Sequence, residues 1–138
     1  MVKNILFVCK YNRFRSKYAE SYFNKLNKNK NIKVKSAGII RGGYPLDKNQ
    51  VLVAKERRIK LRGKPKGINT NLLKWQDIIL ITADDVPSEI FRENKMYGKK
   101  LIVWKIPDVI KDSKEEIRGI MNKIENKVQN LIEVLNEK

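Results

Sequence analysis

The sequence predicts an α/β fold: a three-layer sandwich with a four-stranded parallel sheet and helices on both faces. Three observations predict it. Ile5–Val8, Ile78–Ile81 and Leu101–Trp104 are short apolar runs that read as strands, the first of the kind buried on both faces and the second fully apolar like it. Between them, apolar residues recur at three- and four-residue spacing. Glycine and proline clusters punctuate the alternation.

Each element has its own signal. Ile5-Leu6-Phe7-Val8 is a central strand, followed by a polar loop. Phe14, Tyr18, Ala19, Tyr22, Phe23 and Leu26 then mark one face of a helix. Ile32-Lys33-Val34-Lys35 alternates apolar and basic residues, which predicts a strand nearer a sheet edge, and Ser36-Ala37-Gly38 ends it. A loop with Gly42, Gly43 and Pro45 follows, and Asp47 can cap a helix over about residues 48 to 60. Gly63, Pro65 and Gly67 break the pattern before the strand Ile78–Ile81. Pro87 to Asn94 reads as a short helix and Leu101–Trp104 as the fourth strand. Ser113 with Glu116 forms a capping box for a long last helix, whose stripe runs through Ile117, Ile120, Met121, Ile124, Val128, Leu131 and Leu135.

Length and composition bound the rest. The 138 residues suit one domain, 1–138, and 41% hydrophobic residues supply a core. No stretch approaches the roughly 20 apolar residues that span a bilayer, and the start MVKNILFVCK turns polar too soon for a signal peptide. A cytoplasmic protein with no membrane partner is expected. The single cysteine, Cys9, excludes an internal disulfide. The absence of histidine removes Ser-His-Asp and Cys-His activation and nearly all zinc-site patterns. The net charge of +16 would attract phosphorylated ligands, acidic proteins or nucleic acid. Because the lysines are spread along the chain, a generally lysine-rich surface is favoured over a dedicated nucleic-acid face.

In a parallel sheet ligands sit beyond the carboxyl ends of the strands, which singles out the loop after the first strand, Cys9 to Ser16, and the loop after the fourth, Lys105 to Asp112. The first reads Cys9-Lys10-Tyr11-Asn12-Arg13-Phe14-Arg15-Ser16. A loop ending at a helix N-terminus turns free backbone N–H groups inward, where they favour both a bound oxyanion and a thiolate. Cys9 is then a candidate nucleophile. The planar fork of Arg15 can grip two phosphoryl oxygens, and Ser16 can donate a hydrogen bond to the sulfur.

Read as C-x5-R-S after a hydrophobic strand, this segment resembles the phosphate loop of low-molecular-weight protein tyrosine phosphatases and the related thioredoxin-coupled arsenate reductases. Ala19-Glu20, Ser36-Ala37-Gly38, Asp77–Leu80 and Trp104–Asp108 resemble further landmarks in the family order, so the likeness spans most of the chain. It implies a phosphate loop after strand 1, with Cys9 as nucleophile, Arg15 as phosphate clamp and Ser16 as the partner of the thiolate. Asn12 would hold the loop's shape and Asp108 would be the general acid. Lys10, Tyr11, Asn12, Arg13, Phe14 and Ser16 would bind the substrate, and no metal or other cofactor is implied. The chain departs from the family at Tyr11, where glycine is usual, at Phe14, often a second cysteine, at Lys17, usually proline, and at Val109-Ile110 after the aspartate. Tyr11 or Tyr44 would then supply an aromatic wall.

The implied activity is hydrolysis of a phosphorylated protein or a small phosphomonoester through a cysteinyl-phosphate. Two alternatives stand beside it. An arsenate reductase would have to use an external thiol, because the chain lacks the cysteines of a disulfide relay. A non-catalytic member of the fold would bind phosphate or nucleic acid.

Overall fold

The computed structural model describes residues 3–41, 45–61 and 63–136. Gly42, Gly43 and Tyr44 lie outside the described residues. Four parallel strands, β1 (Lys3–Cys9), β2 (Ile32–Gly38), β3 (Ile78–Ile81) and β4 (Lys100–Val103), stand in the order β2-β1-β3-β4. The alternating strand β2 is an edge strand, as its lysines predict: it pairs only with β1, and Lys33 and Lys35 are exposed in its first half, whereas Ala37, further along the same face, is buried.

Of the apolar runs, Ile5–Val8 and Ile78–Ile81 are the two central strands, whereas Leu101–Trp104 falls on the other edge, β4, where Leu101 and Ile102 are half-buried and Val103 is exposed. Ile5, Leu6, Phe7 and Val8 are all 0% exposed, so every side chain of β1 in this run is enclosed by helices on one face or the other. Burying each such side chain contributes about 1.5–3 kcal/mol. Ile5, Phe7, Ile78 and Leu80 pack against α1 (Arg15–Leu26), α2 (Lys48–Glu56) and α5 (Lys114–Leu135). Leu6, Val8, Ile79 and Ile81 pack on the other side against Leu72 of α3 (Thr70–Trp75) and against Val86 and Phe91.

Four local readings change. The second helix ends at Glu56, because Arg58 adopts the left-handed conformation (φ 60°) and stops it. Asn69 caps α3 by accepting from Leu72 N at 2.8 Å, a six-residue helix too short for a periodic signal. The segment from Pro87 divides into a 3₁₀ turn, Ser88–Phe91, and a single turn α4 (Glu93–Met96). Ser113 caps α5 by accepting from Glu116 N at 3.1 Å, but the Glu116 carboxylate does not complete the box; it accepts from the backbone N–H groups of Ile110 and Lys111. Glu116 therefore fastens the loop that follows β4 to the start of α5.

The chain winds one way from β1 to β2 and the other way from β3 to β4, so the switch point lies between β1 and β3. The loops after β1, β3 and β4 converge beyond the strand ends, and backbone bonds join them. Thr82 donates to Val8 O through both its N–H (2.7 Å) and its hydroxyl (3.0 Å), and Asp84 N donates to Ile106 O at 3.0 Å.

Candidate active site

Cys9 is the last residue of β1, and its sulfur is 3.0 Å from Ser16 Oγ and accepts from Asn12 N at 3.2 Å. Ser16 Oγ itself accepts from Asn12 Nδ2 at 2.8 Å, which leaves the serine proton available to the sulfur. Two donors thus converge on Sγ.

Asn12 sets the shape of the loop. Its backbone is left-handed (φ 57°), a conformation asparagine tolerates better than most residues. Its buried amide also donates to Ser36 Oγ at 3.0 Å and accepts from Lys66 N at 3.1 Å. Ser36 Oγ donates in turn to Glu20 Oε1 at 2.5 Å. Beside Glu20, Lys17 is buried; burial pushes its ammonium pKa below the ordinary value, while the Glu20 carboxylate opposes the shift.

The loop lies directly on the end of β2. A Cβ at Gly38 would stand 2.6 Å from the carbonyl carbon of Tyr11 and 2.7 Å from Asn12 N, so only glycine admits this approach. Ile39 N and Ile40 N then donate to Cys9 O (3.1 Å) and Lys10 O (2.9 Å).

Arg15 opens α1 and is 3% exposed. Its Nη1 donates to Ile106 O at 2.9 Å, and Nη2 donates to both carboxylate oxygens of Asp85, at 2.9 and 3.1 Å. Asp84 and Asp108 stand at 3.6 and 3.7 Å from the same guanidinium. These bonds use Nη1 and Nη2; among the described residues no acceptor is bonded to Nε–H. Asp108, half exposed, accepts from Val109 N at 2.8 Å through its other oxygen.

Cys9, Tyr11, Arg13, Phe14, Arg15, Gln50 and Asp108 line one small cleft of about 50 Å³. The structure thus brings together the residues expected to be catalytic. Tyr11 forms part of the wall, whereas the Phe14 ring is buried, 6.0 Å from that of Tyr18. Arg13 Nε donates to Pro45 O at 2.8 Å. Lys10 lies outside the lining, with its ammonium 5.3 Å from the Tyr11 ring centroid. Asn12 and Ser16 are buried behind the cleft, not in its wall.

Sequence reading missed Asp84, Asp85 and Gln50. The aspartates carried a usable signal: they follow the fully apolar β3 closely, and β3 flanks the switch point. Gln50 carried none, because its place depends on how α2 packs.

A sulfur held by two donors at a strand end, with an arginine and an aspartate in the same cleft, defines the class of cysteine-dependent phosphatases. The comparison with protein families agrees: residues 4–138 match the model of the low molecular weight phosphotyrosine protein phosphatases, and the chain belongs to that family. Solved structures that resemble it include Vibrio vulnificus Wzb in complex with benzylphosphonate, at 26% identity and a TM-score of 0.79 over 96% of this chain and 99% of that one. The YwlE arginine phosphatase from Geobacillus stearothermophilus is 25% identical, with a TM-score of 0.81 over 96% and 92% of the two chains. An arsenate reductase from Archaeoglobus fulgidus is 25% identical, with a TM-score of 0.71 over 93% and 98%. The comparison with curated proteins finds no match. No helix among the described residues is long and apolar enough to cross a membrane.

Proposed function

We propose that this chain hydrolyses phosphomonoesters through a phosphorylated Cys9, with phosphotyrosine as the class of substrate that family membership favours. The observation that carries this reading is the pair of donors on Cys9 Sγ, from the Ser16 hydroxyl and the Asn12 N–H, with Arg15 and Asp108 lining the same cleft.

Each residue has a role in this scheme. Cys9 Sγ attacks phosphorus, and the phosphoester oxygen departs with a proton from Asp108. Arg15 and the loop N–H groups of residues 10–16 meet the charge on the three equatorial oxygens. Ser16, fixed by Asn12, stays on the sulfur and stabilises it as the leaving group of the second step. In that step Asp108, now ionised, takes a proton from the attacking water. Asp85 fixes the Arg15 fork. Tyr11 offers an aromatic wall to an aryl group.

The single cysteine weighs against arsenate reduction by an internal disulfide relay, which needs further thiols. Hydrolysis of a series of aryl phosphates tests the assignment. Asp108→Asn should lose more rate on poor leaving groups than on good ones, and Cys9→Ser should lose all turnover while still binding vanadate. Equal losses across the series would remove Asp108 from the acid role, and turnover by Cys9→Ser would remove the nucleophile.

A further inference from the structure

A larger concavity, about 710 Å³, lies along the outer edge of β2, towards the opposite end of that strand from Gly38 and the phosphate loop. β2 is a terminal strand, and among the described residues no strand pairs with this edge beyond the bridge of Gly38 with Gly67. Ile32 and Val34 turn into the core, which leaves Lys33 and Lys35 exposed on the other face. Two residues apart on a strand, they stand roughly 6.6 Å from one another along the chain.

Lys28 and Lys30, from the connection between α1 and β2, join them in the groove. Among the described residues no carboxylate lines it, and none of the four lysines makes a salt bridge. Trp75, at the end of α3, together with Asn24, Asn27 and Asn29, completes the lining, and Lys35 Nζ lies 4.5 Å from the Trp75 ring centroid. Lysines on an edge strand protect it from pairing with other chains, which accounts for Lys33 and Lys35. Edge protection does not call for Lys28 and Lys30, and although the indole of Trp75 packs partly on the second core cluster, the rest of it borders the groove.

We propose that this groove binds a single-stranded nucleic acid, its phosphates on the four lysines and a base against Trp75. A positively charged groove with an aromatic platform is the general solution for sequence-tolerant single-strand binding. An acidic peptide would use the same lysines but gain little from the indole. The net charge of +16 adds a long-range field that draws either polyanion in. Lysines that looked evenly spread along the sequence are gathered by the fold, because the end of α1, the edge strand and the end of α3 meet here.

Fluorescence anisotropy of a labelled oligouridylate of about 15 nucleotides, titrated with the full chain at several salt concentrations, tests the proposal. Four neutralised phosphates give a slope of about −2.8 in log K against log salt. Lys33→Glu with Lys35→Glu should weaken binding at least tenfold and reduce the slope by about 1.4. Trp75→Leu should weaken binding with little change in slope, and Trp75→Phe should restore part of it. Lys123→Glu with Lys127→Glu, an equal change of charge on the exposed side of α5, should leave affinity within about twofold. Turnover of p-nitrophenyl phosphate serves as the check that each variant folds. Equal losses in the two double variants, no binding at low salt, or tighter binding of a polyglutamate peptide than of the oligonucleotide would each overturn the proposal.

Discussion

Asp85 holds Arg15, one guanidinium nitrogen of which donates to both carboxylate oxygens at 2.9 and 3.1 Å. The arginine that would clamp a phosphoryl group is therefore positioned by the loop after β3 and not only by its own helix. Because Ile106 O fixes Nη1 as well, the fork is oriented before any ligand arrives.

Asp85→Ala should leave the fold intact, since the side chain is about one-third exposed, yet release one side of the fork. Misplacing a positioning group by about 1 Å costs on the order of 100-fold in rate, so kcat should fall by roughly 10- to 100-fold. Inhibition by inorganic phosphate should weaken little, because a competing carboxylate is also removed. Unchanged kcat would mean that Arg15 needs no help from the third loop.

Gly38→Ala tests the seating of the loop. The added methyl would meet backbone atoms of Tyr11 and Asn12 at 2.6 and 2.7 Å, which no side-chain rotation relieves. Overpacking of this kind costs about 1–3 kcal/mol, to be read from urea unfolding, and turnover should fall with it because the displaced atoms belong to the loop around Cys9. Full stability with full activity would show that the loop yields freely.

Tyr18 makes a pH-dependent contribution to stability. Burial, and then a 2.6 Å hydrogen bond to Glu125 Oε2, raise its hydroxyl pKa well above the ordinary value. In the unfolded chain tyrosine ionises near pH 10, whereas in the folded chain it keeps its proton. Above about pH 10 the unfolded state binds fewer protons than the folded one, so stability falls as pH rises. The stabilising contribution is complete below that pH. In urea unfolding the difference between the wild type and Tyr18→Phe should be constant from pH 7 to about 9 and shrink above about 10. A difference that grows with pH would reverse the sign.

The strands and the phosphate loop were legible because their signals are local. Ile5–Val8 and Ile78–Ile81 are apolar without interruption, and the Cys9-to-Arg15 spacing lies within one turn of chain between strand and helix. The alternation of Lys33 and Lys35 with Ile32 and Val34 predicted an edge strand, and β2 is one, with those two lysines exposed; the burial of Ala37 on the same face was not legible, because it depends on the elements packed there. What stayed hidden depends on contacts distant in sequence. Asp85 reaches Arg15 across 70 residues, and Ser36 meets Asn12 across 24. The role of Glu116 changed for a similar reason. Its spacing from Ser113 fits a capping box, but the backbone N–H groups of Ile110 and Lys111 lie within its reach and take the carboxylate instead.

The most direct test is to trap the phosphorylated enzyme. Asp108→Asn slows attack of water on the intermediate, so acid quenching during turnover of p-nitrophenyl phosphate, followed by peptide mass spectrometry, should find one phosphate on the peptide that contains Cys9. Turnover that proceeds with no phosphate on that peptide, together with activity retained in Cys9→Ser, would contradict catalysis through the sulfur at the end of β1.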